Sequence, residues 1–130
     1  MSDKSAITPL KGLRVTVDRV VHAPEAQGAG DRSHCFVYFI SIHNDSKETV
    51  TIRGRKWVVT EGDGETTVVE GDGVVGKVPK LKPGQKFSYN SFHLLASDQG
   101  KAEGSFFGVD GSGRRVMTRI PPFEMRVPEE

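Results

Sequence analysis

Apolar and polar residues alternate with period two in a series of short runs, and glycines and prolines separate the runs. That alternation is the signature of half-buried β-strands. "LRVTVDRVV" places Leu13, Val15, Val17 and Val21 on one face. "FVYFISIHN" places Phe36, Tyr38, Ile40 and Ile42 on one face and Val37 and Phe39 on the other, which predicts a central strand covered on both sides. "ETVTI" and "KWVVT" add Val50, Ile52, Trp57 and Val59. "KFSYNSFHLL" alternates Phe87 and Tyr89 and then shifts phase to Phe92 and Leu94, which predicts a bulge or a change of sheet. "GSFFGV" and "RRVMTRI" flank Asp110-Gly111-Ser112-Gly113, a hairpin signal, and "FEMRV" sets Phe123, Met125 and Val127 together. Asn44-Asp45-Ser46 and Gly62-Asp63-Gly64 read as turns, and Pro83-Gly84 suits the centre of a type II turn.

No stretch of a dozen residues keeps apolar positions at helical spacing, so no long helix is expected. About seven or eight short strands with regular turn signals predict an all-β protein, an antiparallel β-sandwich. Residues 23–33, "APEAQGAGDRS", form the most polar internal loop and are expected to be the most mobile. Residues 1–12 are expected to be a flexible lead-in, and residues 129–130 a frayed end.

Composition narrows the function. The chain has 130 residues, the size of one domain. Lys plus Arg total 18 and Asp plus Glu total 17, so there is no global pull toward nucleic acid or anionic lipid. One cysteine, Cys35, excludes an internal disulfide and fits a reducing compartment. With no signal-peptide pattern and no long apolar run, a cytoplasmic protein without membrane insertion is expected.

Gly71, Gly73 and Gly76 have the spacing G-x-G-x-x-G. In a dinucleotide fold, a helix follows such glycines and its N-terminus meets the pyrophosphate. Here Pro79 and Pro83 fall in the first two turns of any such helix, so the helix is excluded. A weaker alternative remains: an amide nest for pyrophosphate or a nucleotide, with Lys77, Lys80 and Lys82 nearby and Glu70 and Asp72 opposing it. The simpler reading is a tight loop crossing between sheets, with Val74 and Val75 tucked into the core.

The surrounding stretch carries more information. Residues 54–91 hold Gly54-Arg55-x-Trp57, Val69-x-Gly71-x-Gly73-Val74-Val75-Gly76, Pro79-x-Leu81-x-Pro83-Gly84 and Phe87-x-Tyr89-x-Ser91. Together with "VYFISIHND" and Ile120-Pro121-x-Phe123, this resembles the ApaG family, the DUF525 domain, from about residue 13 to 128. The resemblance implies a fibronectin type III-like, immunoglobulin-like sandwich. It also implies an association with cobalt resistance and magnesium efflux, and a role as a protein-interaction module. It carries no catalytic residues and no cofactor. Two departures from the family pattern stand out: Phe92 follows Ser91 where relatives often have Gly, and Lys101-Ala102-Glu103 replaces a Met-bearing segment.

By parity Arg53, Arg55 and Trp57 share a strand face, so Arg55 can stack on Trp57 or meet an anion beside the loop. The candidate partner- or ligand-binding residues are therefore Gly71, Gly73, Gly76, Arg55, Trp57 and Lys77. The histidines His22, His34, His43 and His93 lack the short spacing of a closed zinc site, although His22 and His34 meet if their strands pair. No metal site is expected, and Asp110 reads as a solvated loop charge. Ser91 and His93 lie two apart, roughly 7 Å along a strand, beyond reach for a nucleophile and its base. Arg114, Arg115 and Arg119 read as a charged strand edge, not a nucleic-acid surface. The expected protein is a noncatalytic interaction module with a protein partner; exposed sheet edges also allow a homodimer.

Overall fold

The structure, a computed structural model, describes residues 6–24 and 34–128. The loop expected at 23–33 and the end at 129–130 lie almost wholly outside the described residues. There are nine strands and no helix among the described residues. Seven are long: β2 (Leu13–His22), β3 (His34–Asn44), β4 (Val50–Glu61), β5 (Thr66–Asp72), β7 (Lys86–Leu95), β8 (Gln99–Val109) and β9 (Arg115–Arg126). Two are two-residue strands, β1 (Thr8–Pro9) and β6 (Lys80–Leu81). Within the segment expected to be flexible, β1 pairs in parallel with β9 at Val116 and Met117.

One sheet has the order β1-β9-β8-β4-β5, with β6 also on β4, and the other has the order β2-β3-β7. Their inner faces share one core that includes Phe36, Tyr38, Ile40, Trp57, Val74, Phe106 and Ile120. Each large apolar side chain buried there contributes roughly 1.5–3 kcal/mol. This is the expected β-sandwich of immunoglobulin-like, fibronectin type III-like design, with β3 central in its sheet.

Parity fails where a strand carries one extra residue. β2 has a bulge between Val17 and Arg19, so the inward series continues through Val20, not Val21, which pairs with Val37 on the outer face. β4 has a bulge between Ile52 and Gly54. Arg53 is the extra residue and is exposed, so it does not share the inward face of Arg55 and Trp57. The reverse correction applies to β7. It pairs with β3 without interruption, so Phe87, Tyr89, Ser91, His93 and Leu95 all face inward. Phe92 is apolar but points outward and is 55% exposed.

The turns are polar devices. Asn44, fully buried, donates from Nδ2 to the Glu48 and Leu81 carbonyls and accepts from the Ser46 backbone N–H and hydroxyl. Asp110 is buried, not solvated. Its carboxylate accepts from the Ser112 and Arg114 amides and from Arg114 Nε, which closes the β8–β9 hairpin. Burial pushes its pKa up, but these four donor and charge contributions outweigh burial and leave it below the ordinary value.

Candidate functional site

The glycine loop is a tight reversal within one sheet. Val74 and Lys77 exchange two backbone hydrogen bonds, N to O 2.8 and 2.9 Å, around Val75-Gly76. Positive φ at both central residues, 45° and 78°, defines the type I′ geometry of a two-residue hairpin. Gly76 suits its place, whereas Val75 is β-branched in a region such residues rarely enter. Gly73, at φ 68°, brings its backbone so close to the Lys77 carbonyl that a Cβ would lie 2.6 Å from the oxygen. Val74 is fully buried as expected, but Val75 is 48% exposed. The passage to the other sheet comes later, at the Lys82–Gln85 turn with Gly84 at φ 87°.

Three of the loop's amides are already engaged. Gly73 donates to the Arg53 carbonyl at 2.7 Å, and Val74 and Lys77 donate to each other's carbonyls. What approaches the loop from outside is a donor: Arg55 Nη1 donates to the Asp72 and Gly73 carbonyls at 2.9 and 3.2 Å. Gly71, opposite Arg55 in the β4–β5 ladder, makes room for this, since a Cβ at Gly71 would lie 2.7 Å from Nη1.

Beside the loop lies a cleft of about 320 Å³ between β4, β5 and β7. Beyond its bulge, β4 points Arg55, Trp57, Val59 and Glu61 into the cleft, and β5 sets Gly71, Val69 and Thr67 opposite the first three. Val69 faces inward by this register yet is 41% exposed, so the sandwich is open along this side. β7 supplies Ser91 and His93, and β3 supplies Tyr38.

The floor is aromatic. Tyr38 and His93 stack at 4.8 Å between centroids, and the Trp57 ring meets His93 edge-on at 4.7 Å. Trp57 is 2% and His93 9% exposed. Trp57 Nε1 and His93 Nε2 are buried without a hydrogen-bond partner among the described residues, as is the hydroxyl of Tyr89, next inward on β7 against Tyr38. Ser91 therefore does not donate to His93. Burial draws the His93 pKa down from 6.5 to about 4, so the imidazole is neutral at pH 7. Burial likewise raises the Tyr38 phenol, with the nearby Ser91 and Tyr89 hydroxyls and Arg55 pulling the other way. At the far end Glu61 Oε1 accepts from the Ala96 and Ser97 amides and the Ser97 hydroxyl, at 2.8, 2.8 and 3.0 Å.

Of the residues anticipated from sequence, Arg55 and Trp57 share the cleft, and Gly71 clears space for Arg55. Gly73 and Gly76 shape the turn. Lys77 lines a separate shallow groove with Lys80, Lys86 and Phe87. Tyr38, Tyr89 and His93 were not anticipated. Continuing the Phe87–Tyr89 alternation two and four residues further would have turned Ser91 and His93 inward. His22 and His34 do meet, with ring centroids 6.3 Å apart beside Phe36. No group of three or more metal-ligating side chains occurs among the described residues.

Residues 24–110 match the family model for the ApaG domain, DUF525. The chain belongs to that family. It is 38% identical over 116 residues to Protein ApaG of Deinococcus radiodurans, covering 89% of this chain and 90% of the relative. It is 40% identical over 93 residues to Protein ApaG of Vibrio cholerae, covering 72% and 74%. A crystal structure from Bordetella pertussis assigned the name ApaA superposes with a TM-score of 0.82 at 28% identity, covering 96% of this chain and all of that one. No helix among the described residues is long and apolar enough to cross a membrane.

Proposed function

We propose that the protein is a noncatalytic binding module of the ApaG type. It acts in the cytoplasm through a protein partner, in the divalent-cation handling that the family resemblance links to cobalt resistance and magnesium efflux. The observation that carries this reading is where exposed apolar side chains gather. Among the described residues six large hydrophobics are exposed, and five of them, Val68, Val69, Val75, Val78 and Phe92, lie on β5, the glycine loop and its exit, and β7. β5 and β7 are the edge strands of their sheets and border the same cleft. Apolar groups concentrated at open edges, with unpaired backbone between them, are what a docking protein buries.

The test is complementation of a deletion strain under cobalt stress. Wild type restores tolerance, while Phe92→Glu and Val68→Glu, both at exposed positions that leave the core intact, fail to do so at equal protein level. Tolerance restored by both variants would remove this edge from the function. Amide-shift titration with ATP, pyrophosphate, cobalt and magnesium completes the test. No saturating shift is expected, and shifts confined to residues 70–77 would transfer the activity to the glycine loop.

A further inference from the structure

Two side chains at least nine-tenths buried, Trp57 and His93, line one cleft and carry polar atoms that nothing among the described residues satisfies. Buried polar groups in native folds are paired in the great majority of cases, and leaving one unpaired is costly. Two such atoms, on two side chains that line one cleft, are hydrogen-bonding groups left for a bound molecule to engage.

The surrounding chemistry describes that group. An indole N–H can only donate, and so can a guanidinium. Among the described residues Arg55 is the one cation on the cleft wall, and with Nη1 bonded to the Asp72 and Gly73 carbonyls its other N–H groups are unassigned. Ser91 and Thr67 add hydroxyls. The single carboxylate, Glu61, already has three donors on one oxygen. The occupant is thus an acceptor, and its charge is matched by one cation, which suits a monoanion and not a phosphate dianion. The volume of about 320 Å³ is at the low end for ligand pockets. Its flat walls are the Tyr38 and His93 rings, with Val59 and Val69 beside them.

We propose that this cleft binds a small planar carboxylate. The carboxylate oxygens take hydrogen bonds from Arg55 and Trp57, and the apolar body lies against the Tyr38–His93 stack. Two sources share this chemistry: a free aromatic acid, and the C-terminal carboxylate of a chain that ends in an aromatic residue. The assignment rests on the cleft alone and is independent of the cobalt assay.

The chain has a single tryptophan, so its indole N–H gives one assignable resonance at the floor of the site. Benzoate, benzamide, and a pentapeptide ending in Phe with either a free or an amidated C-terminus are titrated into the ¹⁵N-labelled protein. The expected result is a saturable shift of the Trp57 indole N–H with benzoate, or with the free-acid peptide, at millimolar ligand or below. The amide counterpart should bind about tenfold or more weakly, and Arg55→Gln should weaken the acid by a similar factor. Val69→Phe, which fills the exposed mouth and leaves Arg55 and Trp57 untouched, should abolish the shift while the spectrum stays dispersed. A response to benzoate locates the source in a free acid; a response to the free-acid peptide alone locates it in a chain end. No indole shift with either acid, equal binding of acid and amide, or a shift that survives Val69→Phe would overturn the proposal.

Discussion

The glycine loop and the cleft beside it share Arg55, yet their polar groups are in opposite states. In the loop, the amides of Gly73, Val74 and Lys77 are consumed by the protein's own carbonyls, and Arg55 caps the carbonyls of Asp72 and Gly73. In the cleft, Trp57 Nε1 and His93 Nε2 are buried with nothing opposite them. The loop carries the motif and the cleft carries the unmet chemistry. A motif built from glycines reports backbone geometry first. A binding site is better recognised by donors that the fold has paid to bury and left unpaired.

The largest effect that separates the two regions is a pH dependence lodged in the cleft. His93 is neutral in the folded protein down to about pH 4, against an ordinary value of 6.5. Between those values the unfolded chain carries a proton that the folded chain does not, so stability is complete above pH 6.5 and declines as pH falls. The expected loss amounts to about 3 kcal/mol by pH 4. The other titratable or charged side chains lining the cleft are Tyr38, Arg55 and Glu61. Urea unfolding from pH 7.5 to 4.5 measures the slope, and His93→Phe should flatten it. A slope unchanged in that variant would assign the acid sensitivity elsewhere.

Within the loop, the effects should follow close approach and not the motif. Gly73→Ala combines positive φ with a Cβ 2.6 Å from the Lys77 carbonyl oxygen, and should destabilise by about 2 kcal/mol or more. Gly76→Ala has positive φ but no atom within 4 Å of its Cβ, and should cost only about 1 kcal/mol. Equal losses in denaturant melts would mean that the Gly73–Lys77 approach has no energetic weight.

Much of this was legible in the chain. Alternation located six of the seven long strands, reading β4 and β9 each as two runs and leaving β5 unmarked, and Pro79 and Pro83 excluded a helix after Gly76. What alternation cannot register is a single extra residue. Asp18 and Arg53 sit at bulges and invert the parity beyond them, so Val21 and Arg53 were assigned to the wrong faces. The cleft was hidden by the opposite error. Phe92 and Leu94 are more apolar than Ser91 and His93, so hydrophobicity alone turned the end of β7 around. The continuous β3 ladder, visible only in three dimensions, holds Ser91 and His93 inward. An edge strand can afford an exposed Phe92 because no layer lies outside it; that freedom belongs to topology and leaves no local trace.

The smallest effect is also the most discriminating, because its sign depends on whether a hydroxyl is partnered. Thr118 is buried, and its hydroxyl donates to the Leu13 carbonyl at 2.9 Å. Thr118→Val keeps the shape and removes the donor, which leaves a buried carbonyl short of a partner, so a loss of about 1 kcal/mol is expected. Tyr89→Phe makes the same chemical deletion beside the cleft, where the hydroxyl lies near that of Tyr38 but makes no hydrogen bond of good geometry among the described residues. No bond is lost there, and a desolvated oxygen is removed, so stability should hold within about 0.5 kcal/mol or rise slightly. Parallel urea melts of the two variants measure the difference. A Tyr89→Phe loss equal to that of Thr118→Val would mean that the Tyr89 hydroxyl is satisfied in solution, by water or by Tyr38.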